Sequence, residues 1–221
     1  MKLSSDTINL LKNFADINPN ILVKEGNKLS TISTMKNILA EADISESFDQ
    51  EFAIYDLPEF LRSIDLFTKP KLEFNGGSNV MIADENSRQK IKYFFADKSV
   101  ITAPSKSITM PESFVSFTLK KEMFEKLMKG VMTLNLPDVS VVGDGKNITL
   151  RASDRKNNTS NTYSVDVGES DKKFEAHYKA ENFKLVTDDY DVDISAQKIS
   201  HFTNRSRPVQ YWIALEPDST F

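Results

Sequence analysis

Cysteine is absent from this 221-residue chain, and the chain has only two histidines, one tryptophan and seven glycines. Without cysteine there are no disulfides and no thiolate metal ligands, so the composition indicates a reducing compartment such as the cytoplasm. Two histidines, His177 and His201, are too few for a histidine-rich metal site and offer few candidates for the base of a Ser/His/Asp triad. The glycines form neither a P-loop nor a dinucleotide-binding pattern. We therefore expect no catalytic site, no metal and no cofactor.

Long apolar runs are also missing. No stretch approaches the ~20 residues that a membrane span needs. The opening "MKLSSDTINLLKNF" breaks its apolar residues every third or fourth position, which is typical of an amphipathic helix rather than a signal peptide. Hydrophobic residues make up 39% of the chain and charged residues 27%, so we expect a soluble globular protein without membrane association. The net charge of −4 argues against a simple nucleic-acid binder unless cations gather on one surface.

Four pairs of similar segments recur in the same order, 117 to 123 positions apart. One such pair would mean little, whereas four collinear pairs indicate an internal duplication. A chain of 221 residues also suits two domains of about 110 residues each. The pairs are "LLKNF" (10–14) with "LMKGV" (127–131), "EGNKL" (25–29) with "DGKNI" (144–148), "YDLPEF" (55–60) with "YKAENF" (178–183), and the aromatic runs "KYFFADKS" (92–99) and "QYWIALEPDS" (210–219).

Each half reads as helix, hairpin strands, helix and further strands. This order predicts an α+β fold with two helices packed on antiparallel sheet in each of two domains, 1–104 and 114–221, joined by a connector at 105–113. Predicted strands include Asn79–Asp84, Asn147–Ser153 and Tyr190–Ser195. The four predicted helices are Leu3–Ile17, Pro58–Phe67, Lys120–Met132 and Ala180–Val186.

Every predicted helix has at least one cation on the side away from its apolar residues. On a single helix this pattern is most often a solvated surface. Repeated on all four helices, it would also suit a surface that contacts the phosphates of DNA, because phosphate contacts need cations without a fixed constellation. The residues alone leave both interpretations open. These cations are Lys12, Arg62, Lys126, Lys129 and Lys184.

Three segments, "MKLSSDTINLLKNFADIN", "FAIYDLPEFL" and "YWIALEPDST", resemble the DNA polymerase sliding clamps of T-even-type bacteriophages. The resemblance implies the DNA-clamp fold and a closed ring of six similar domains around double-stranded DNA, hence a homotrimer. Helices would line the hole and continuous sheets would form the outside. Such a ring has no catalytic site. It tethers the replicative DNA polymerase for processive synthesis in the infected bacterial cytoplasm, and a separate ATP-driven clamp loader opens it. Whether transcription factors also use the ring is left open.

The resemblance also assigns residues. Lys12, Lys126 and Lys129 match lining cations of the family, and helix phase adds Arg62 and Lys184. Lys2, Lys120 and Lys121 are candidate helpers at helix ends. Clamp partners insert a short peptide near the connector and the C-terminal tail, which here implicates Ile108, Met110, Pro111, Leu215 and Pro217. The alternative is that Met110 and Pro111 hold the connector to the core and that Leu215 packs within a strand.

Two other functions compete with the clamp. An enzyme could use the carboxylates of "TDDYDVD" (187–193) as metal ligands, but their place between a helix and a strand favours a solvated loop and strand edge. His177 alternates along a strand without an obvious partner, which favours a structural role. The second rival is a non-catalytic phage structural or adaptor protein with a β-rich fold, which composition does not exclude.

Overall fold

The computed structural model describes residues 1–84 and 88–221, which divide into two compact units, Met1–Lys106 and Ser107–Phe221. The first unit contains α1 (Ser5–Ile17), β1 (Ile21–Val23), β2 (Gly26–Ile32), β3 (Ile38–Phe48), β4 (Phe52–Ile54), α2 (Leu57–Asp65), β5 (Pro70–Phe74), β6 (Asn79–Asp84), β7 (Lys90–Phe94) and a 3-10 turn (Lys98–Val100). The second contains β8 (Val115–Leu119), α3 (Lys121–Leu134), β9 (Asp138–Asp144), β10 (Asn147–Ser153), β11 (Tyr163–Glu169), β12 (Lys173–Lys179), a 3-10 turn (Ala180–Asn182), β13 (Tyr190–Ser195), β14 (Ile199–Asn204) and β15 (Val209–Ala214).

Antiparallel pairing connects the strands within each unit. In the first unit β1 pairs with β4, β2 pairs with β3, and β5, β6 and β7 form a three-stranded sheet. In the second unit one sheet has the order β11-β10-β9-β12, and β8, β13, β14 and β15 pair in that order. Helices therefore accompany antiparallel sheet in both units, and the predicted α+β class is confirmed.

Helix α1 begins where its first turn is capped. The Ser4 hydroxyl accepts a hydrogen bond from the Thr7 amide at 3.2 Å, which satisfies an otherwise unpaired donor. Glu46 of β3 accepts from the Thr7 hydroxyl at 2.6 Å and from the Ser4 amide. Burial opposes ionisation of Glu46, but these hydrogen bonds outweigh it and lower its pKa. The helix then buries Leu10, Leu11 and Phe14 at the spacing expected of an amphipathic helix.

Two backbone hydrogen bonds support the duplication. The Leu57 amide, at the start of α2, donates to the Pro19 carbonyl at 2.7 Å. The Ala180 amide, at the start of the second 3-10 turn, donates to the Pro137 carbonyl at 2.9 Å. Each bond joins the first residue of a helical segment to a proline just past the preceding long helix. The two units thus repeat a specific tertiary contact as well as an order of elements.

The predicted fourth helix is wrong in extent: Ala180–Val186 forms only the 3-10 turn Ala180–Asn182. The difference lies in the cap. At the start of α2 the Asp56 carboxylate accepts from the Glu59 amide at 2.7 Å. In the second unit Lys179 takes the place of Asp56, and an ammonium group has no lone pair to accept such a bond.

The sequence after the turn also disfavours a helix. Pro58 lies in the first turn of α2, where its fixed φ suits helix initiation. The second unit has Glu181 at the corresponding place and continues with Val186 and Thr187, whose branched side chains lower helix propensity. Helix nucleation is costly, so an uncapped segment of this length remains a single turn.

One strand was not predicted. β8 lies between the connector and α3, and it pairs antiparallel with β13, where Val115 lies opposite Ile194 and Leu119 opposite Tyr190. The five residues of β8 follow a stretch without clear hydrophobic periodicity, so no sequence pattern distinguishes this strand from the connector before it.

Helix α3 approaches β11 unusually closely at Gly130. A Cβ atom placed on Gly130 would lie 2.8 Å from Cγ of Tyr163, a separation that real side chains do not tolerate. A glycine inside a helix costs about 1 kcal/mol relative to alanine. Here it allows the Tyr163 ring to pack directly on the helix backbone. Among the described residues, no helix is both long enough and apolar enough to cross a membrane.

Candidate nucleic-acid interface

Helices α1 and α2 pack against each other and expose cations. Lys12 on α1 and Arg62 on α2 are both exposed, while the opposite sides of these helices bury apolar residues such as Leu10 and Phe60. Nζ of Lys12 lies 3.4 Å from a carboxylate oxygen of Asp65 on α2. Both side chains of this pair are more than half exposed, so it contributes little to stability and leaves the lysine accessible to an anion.

Helix α3 presents the second set of cations. Lys126 and Lys129 are exposed, and Phe124, Leu127 and Val131 are buried on the other side, as the helical period predicts. Residues three apart on a helix are neighbours on its surface. The two lysines are therefore neighbours on the surface of α3, with the exposed acids Glu122 and Glu125 one turn before them.

Lys184 differs from the other four predicted cations. It lies beyond the 3-10 turn that replaces the predicted helix, and it is half-buried. The helix phase that suggested an outward position therefore does not apply to it. Its assignment to DNA stays a prediction without that support.

The predicted helpers at the start of α3 are held by an acid. Nζ of Lys120 lies 3.0 Å from Asp189, and the same carboxylate accepts the Lys121 amide at 2.7 Å. The bond from the Lys121 amide, with that from Lys120, lowers the pKa of Asp189. Asp189, from another segment, thus caps α3. Lys120 lies at the N-cap position, but its side chain has no hydrogen-bond acceptor and cannot cap the helix. Lys2, the remaining helper, is exposed.

The neighbouring carboxylates of the acidic run also have partners. Asp188 accepts from the Ser206 hydroxyl and lies 3.7 Å from Arg207. Asp191 lies 3.5 Å from Arg205. Across the described parts of the chain, no three His, Cys, Asp or Glu side chains gather as a metal site would require. Capping and ion pairing thus account for these acids.

His177 has a partner that sequence reasoning did not find. Its Nδ1 lies 2.8 Å from Oγ of Ser140, and its Nε2 lies 3.5 Å from Glu175. The order of groups resembles a nucleophile, a base and an orienting acid. However, Ser140 is 0% exposed, so no substrate can reach its hydroxyl. Burial, with a smaller effect of Arg155, lowers the pKa of His177, so the imidazole is neutral at pH 7.

The predicted partner-binding residues lie in two segments of the second unit. Ile108, Met110 and Pro111 are half-buried in a stretch without regular structure. Leu215 is buried directly after β15, and Pro217 is exposed. Trp212 is 5% exposed and stacks on His201 with ring centroids 4.6 Å apart, so it is a core residue.

Specific contacts hold the segment Glu216–Phe221 against the rest of the second unit. Thr220 pairs with Glu175 of β12 through two backbone hydrogen bonds of 2.9 Å. The Asp218 carboxylate accepts from Arg155 at 2.7 Å, and the Phe221 ring contacts Phe114 at 5.2 Å between centroids. The sequence predicts a partner-binding role for this segment but gives no signal of these contacts, which depend on distant residues.

Comparisons with known proteins agree along nearly the whole chain. Residues 4–103 match the family model "DNA polymerase processivity factor", and residues 116–217 match "gp45 sliding clamp, C terminal". The chain is 33% identical to a sliding clamp of Vibrio phage KVP40, over 98% of this chain and 99% of that protein. It is 32% identical to a sliding clamp of Enterobacteria phage T4, over 100% and 99%.

A solved structure gives the same fold at low sequence identity. The β clamp of Helicobacter pylori, solved bound to a DNA ligase peptide, superposes with a TM-score of 0.71 at 16% identity. The match covers 97% of this chain and 64% of that one. The predicted clamp fold is therefore confirmed.

Proposed function

Since this chain belongs to the sliding clamps, the processivity factors of DNA polymerases, we propose that three copies close into a ring around double-stranded DNA. The ring tethers the replicative polymerase and is placed on DNA by a separate ATP-driven loader. It acts in the cytoplasm of the infected bacterial cell and has no catalytic activity of its own.

The observation that carries this proposal is the repetition of an exposed lysine. Lys12 on α1 and Lys129 on α3 occupy equivalent positions of the duplicated segments "LLKNF" and "LMKGV", and both are exposed. Arg62 and Lys126 extend the same surfaces. Exposed cations on helices bind phosphates without reading sequence, which suits a protein that must slide. A ring holds DNA by topology, so these contacts can be weak.

Two outer strands support assembly into a ring. β7 in the first unit and β11 in the second each pair with one described strand only, so each has an outer edge. Such edges pair readily with another chain. β7 carries the exposed Lys90 and Lys92, whereas β11 carries the exposed Asp166 and Glu169. Pairing β7 of one copy with β11 of the next is a head-to-tail contact between opposite charges, and it can close into a ring.

Light scattering across a dilution series tests the assembly. We expect a species of three times the 25.0 kDa chain mass. Lys90→Glu with Lys92→Glu should raise the concentration at which it dissociates by about tenfold or more, because like charges across an interface are strongly unfavourable. Adding Asp166→Lys to this double variant should restore part of the loss.

Lys28→Glu is the control for the assembly experiment, since it makes the same kind of charge change on an exposed residue of β2. It should leave the dissociation concentration unchanged. A wild-type monomer at every concentration would contradict the ring. An unchanged trimer in the Lys90/Lys92 variant would contradict the proposed edge.

Partner peptides, we further propose, bind near Ile108, Met110, Pro111, Leu215 and Pro217. Pro217 is exposed beside buried Leu215, which suits an apolar contact at the rim of a site. Pro217→Asp should lower polymerase stimulation by about tenfold and leave the trimer mass unchanged, because a charge at an apolar contact is desolvated without a partner. Pro208→Asp, at another exposed proline, is the matched control. Equal stimulation by both variants would remove Pro217 from the partner site.

A further inference from the structure

An open apolar groove lies between α3 and the 3-10 turn that follows β12. Its volume is about 420 Å³. Val131, Leu136 and Ala180 are buried at its floor, and Met128 is half-buried. The residues that line it are Met128, Val131, Leu136, Pro137, Lys179, Ala180 and Glu181.

In the first unit a helix occupies the corresponding place. Leu11 of α1 is the counterpart of Met128, 117 positions earlier, and is only 3% exposed. Leu57 and Phe60 of α2 line the same small cavity as Leu11, so α2 is what covers this side of α1. The first unit therefore shows what kind of element fits beside the long helix of this fold.

Helix α2 also brings a charge to that contact. Its Asp65 lies 3.4 Å from Lys12, whose counterpart in the second unit is Lys129. In the second unit the 3-10 turn ends at Asn182, so within its described residues no helical equivalent of Asp65 follows. The second unit thus keeps the lysine, the apolar side of the long helix and the first turn of the covering segment, but not the later turns of a covering helix.

The exposed apolar surface continues along α3. Met132 lies one turn beyond Met128 on the same side of the helix and is 73% exposed. A single exposed apolar side chain is common on protein surfaces, but a contiguous apolar patch marks an interaction site, and Met132 extends the apolar surface of the groove. Met128 and Met132 form a stripe beside Lys129, and methionine adapts its shape readily to incoming side chains.

We propose that this groove receives an amphipathic helix of a partner protein, which places apolar side chains on Met128 and Met132 and a carboxylate at Lys129. The occupant takes the place of the later turns of α2, because the Ala180–Asn182 turn and the buried Phe183 already fill the place of its first turn. Its recognition follows the helix-in-groove mode, with apolar anchors spaced three and four residues apart. The groove lies within the second unit, so the proposal does not depend on the ring. Where the ring encloses DNA, helix and DNA would compete for Lys129, and the DNA-free clamp is the form that binds the helix.

A peptide with the sequence of α2 is the direct probe. Residues Asp56–Leu66 can be synthesised with a side-chain bridge between positions 59 and 63, on the side away from the apolar anchors, because a free helix this short is marginal in water. With a fluorescent label, anisotropy titration of the full chain should give saturable binding with a dissociation constant of about 100 µM. A peptide with Phe60→Asp and Ile64→Asp should not bind.

Two adjacent residues of α3 provide a matched pair of protein variants. Met132 and Thr133 are both exposed in the last turn, but Thr133 faces away from the groove. Both Met132→Glu and Thr133→Glu place an acid near the helix C-terminus, so any cost to the helix is shared. Met132→Glu should weaken peptide binding about tenfold, and Thr133→Glu less than twofold. Lys129→Glu should weaken it about fivefold, and a peptide with Asp65→Lys should recover this loss.

Three outcomes would overturn the proposal. The first is no saturable binding of the α2 peptide up to 1 mM, by the same titration. The second is equal weakening by Met132→Glu and Thr133→Glu, which would make the interaction non-specific. In the third, Met132→Glu weakens binding of a labelled 20-base-pair duplex and leaves peptide binding unchanged, which would make the groove a nucleic-acid contact. The trimer mass of each variant is measured separately, so a failed ring and a failed groove are distinguished.

Discussion

Processive DNA synthesis should fall about tenfold or more when Lys12 and Lys129 are both replaced by glutamate, while the mass in solution stays that of the wild type. Each chain loses two cations and gains two acids, so in the proposed ring the charge of the surface that would face DNA changes by −12 over three chains. Phosphate contacts depend steeply on such charges. Lys12→Glu also removes the ion pair between Lys12 and Asp65. This exposed pair contributes little to stability, so folding should be unaffected. Primer-extension length with loader and polymerase measures the effect.

The control for this double variant makes the same charge change in another place. Lys28 and Lys146 are exposed in equivalent hairpins of the two units, and neither lies on a helix. Lys28→Glu with Lys146→Glu should leave extension length nearly unchanged. Unchanged synthesis in the Lys12/Lys129 variant would remove these lysines from the mechanism, and equal losses in both variants would leave only a general effect of charge.

Asp138→Asn should have the largest effect on stability of any single change proposed for this chain. The carboxylate of Asp138 is 2% exposed, accepts from Nζ of Lys179 at 2.6 Å and accepts from the Arg155 amide at 3.1 Å. An asparagine keeps one acceptor but loses the charge that two cations face. Hydrogen bonds to charged groups contribute about 1.5–3 kcal/mol, so the free energy of unfolding should fall by about 2 kcal/mol.

The effect of Asp138 should depend on pH. Burial opposes its ionisation, but hydrogen bonds from Lys179 and the Arg155 amide outweigh this and lower its pKa. A carboxyl whose pKa is lower in the folded state stabilises the fold above its unfolded pKa of about 3.9, and the contribution is lost as pH falls through the folded value. The difference between wild type and Asp138→Asn should therefore be full at pH 7 and shrink below about pH 4.

Denaturant unfolding of both proteins across this pH range makes the measurement. Glu125→Gln is the control, because its pair with Lys121 spans 4.0 Å with both side chains about half exposed. Such a pair contributes about 0.3–0.5 kcal/mol, so this variant should unfold nearly as wild type does. An effect of Asp138→Asn no larger than that of Glu125→Gln would show that the buried carboxylate is not a net stabiliser.

The strands were the most predictable part of the fold. Asn79–Asp84, Asn147–Ser153 and Tyr190–Ser195 form strands with the bounds that the sequence predicts. Their apolar residues and flanking turn residues are local signals. The fourth helix was predicted wrongly because the match of "YKAENF" to "YDLPEF" hid one decisive difference. Lys179 replaces the capping Asp56, and its ammonium group pairs with Asp138 instead.

The candidate site likewise has one part that local sequence patterns predict and another part that they do not. Helix period alone places Lys12, Lys126 and Lys129 on exposed surfaces, and the structure agrees. Asp189 as the cap of α3, Ser140 beside His177 and the groove beside Met128 involve residues 37 or more positions apart. Nothing in a local pattern indicates such pairs, because the chain brings them together only when it folds.

The close approach of Gly130 to Tyr163 links two surfaces with different roles. Gly130 follows Lys129 directly on α3, and Tyr163 is the first residue of β11, the strand proposed to join the next copy. No side-chain layer separates helix from strand at this point, so neither can shift without displacing the other. We therefore expect a ring that opens at the edge of β11 to move the lysines of α3 as well. Grip on the DNA and closure of the ring would then loosen as one event, which would let a loader act on the outer edge and release the inner surface.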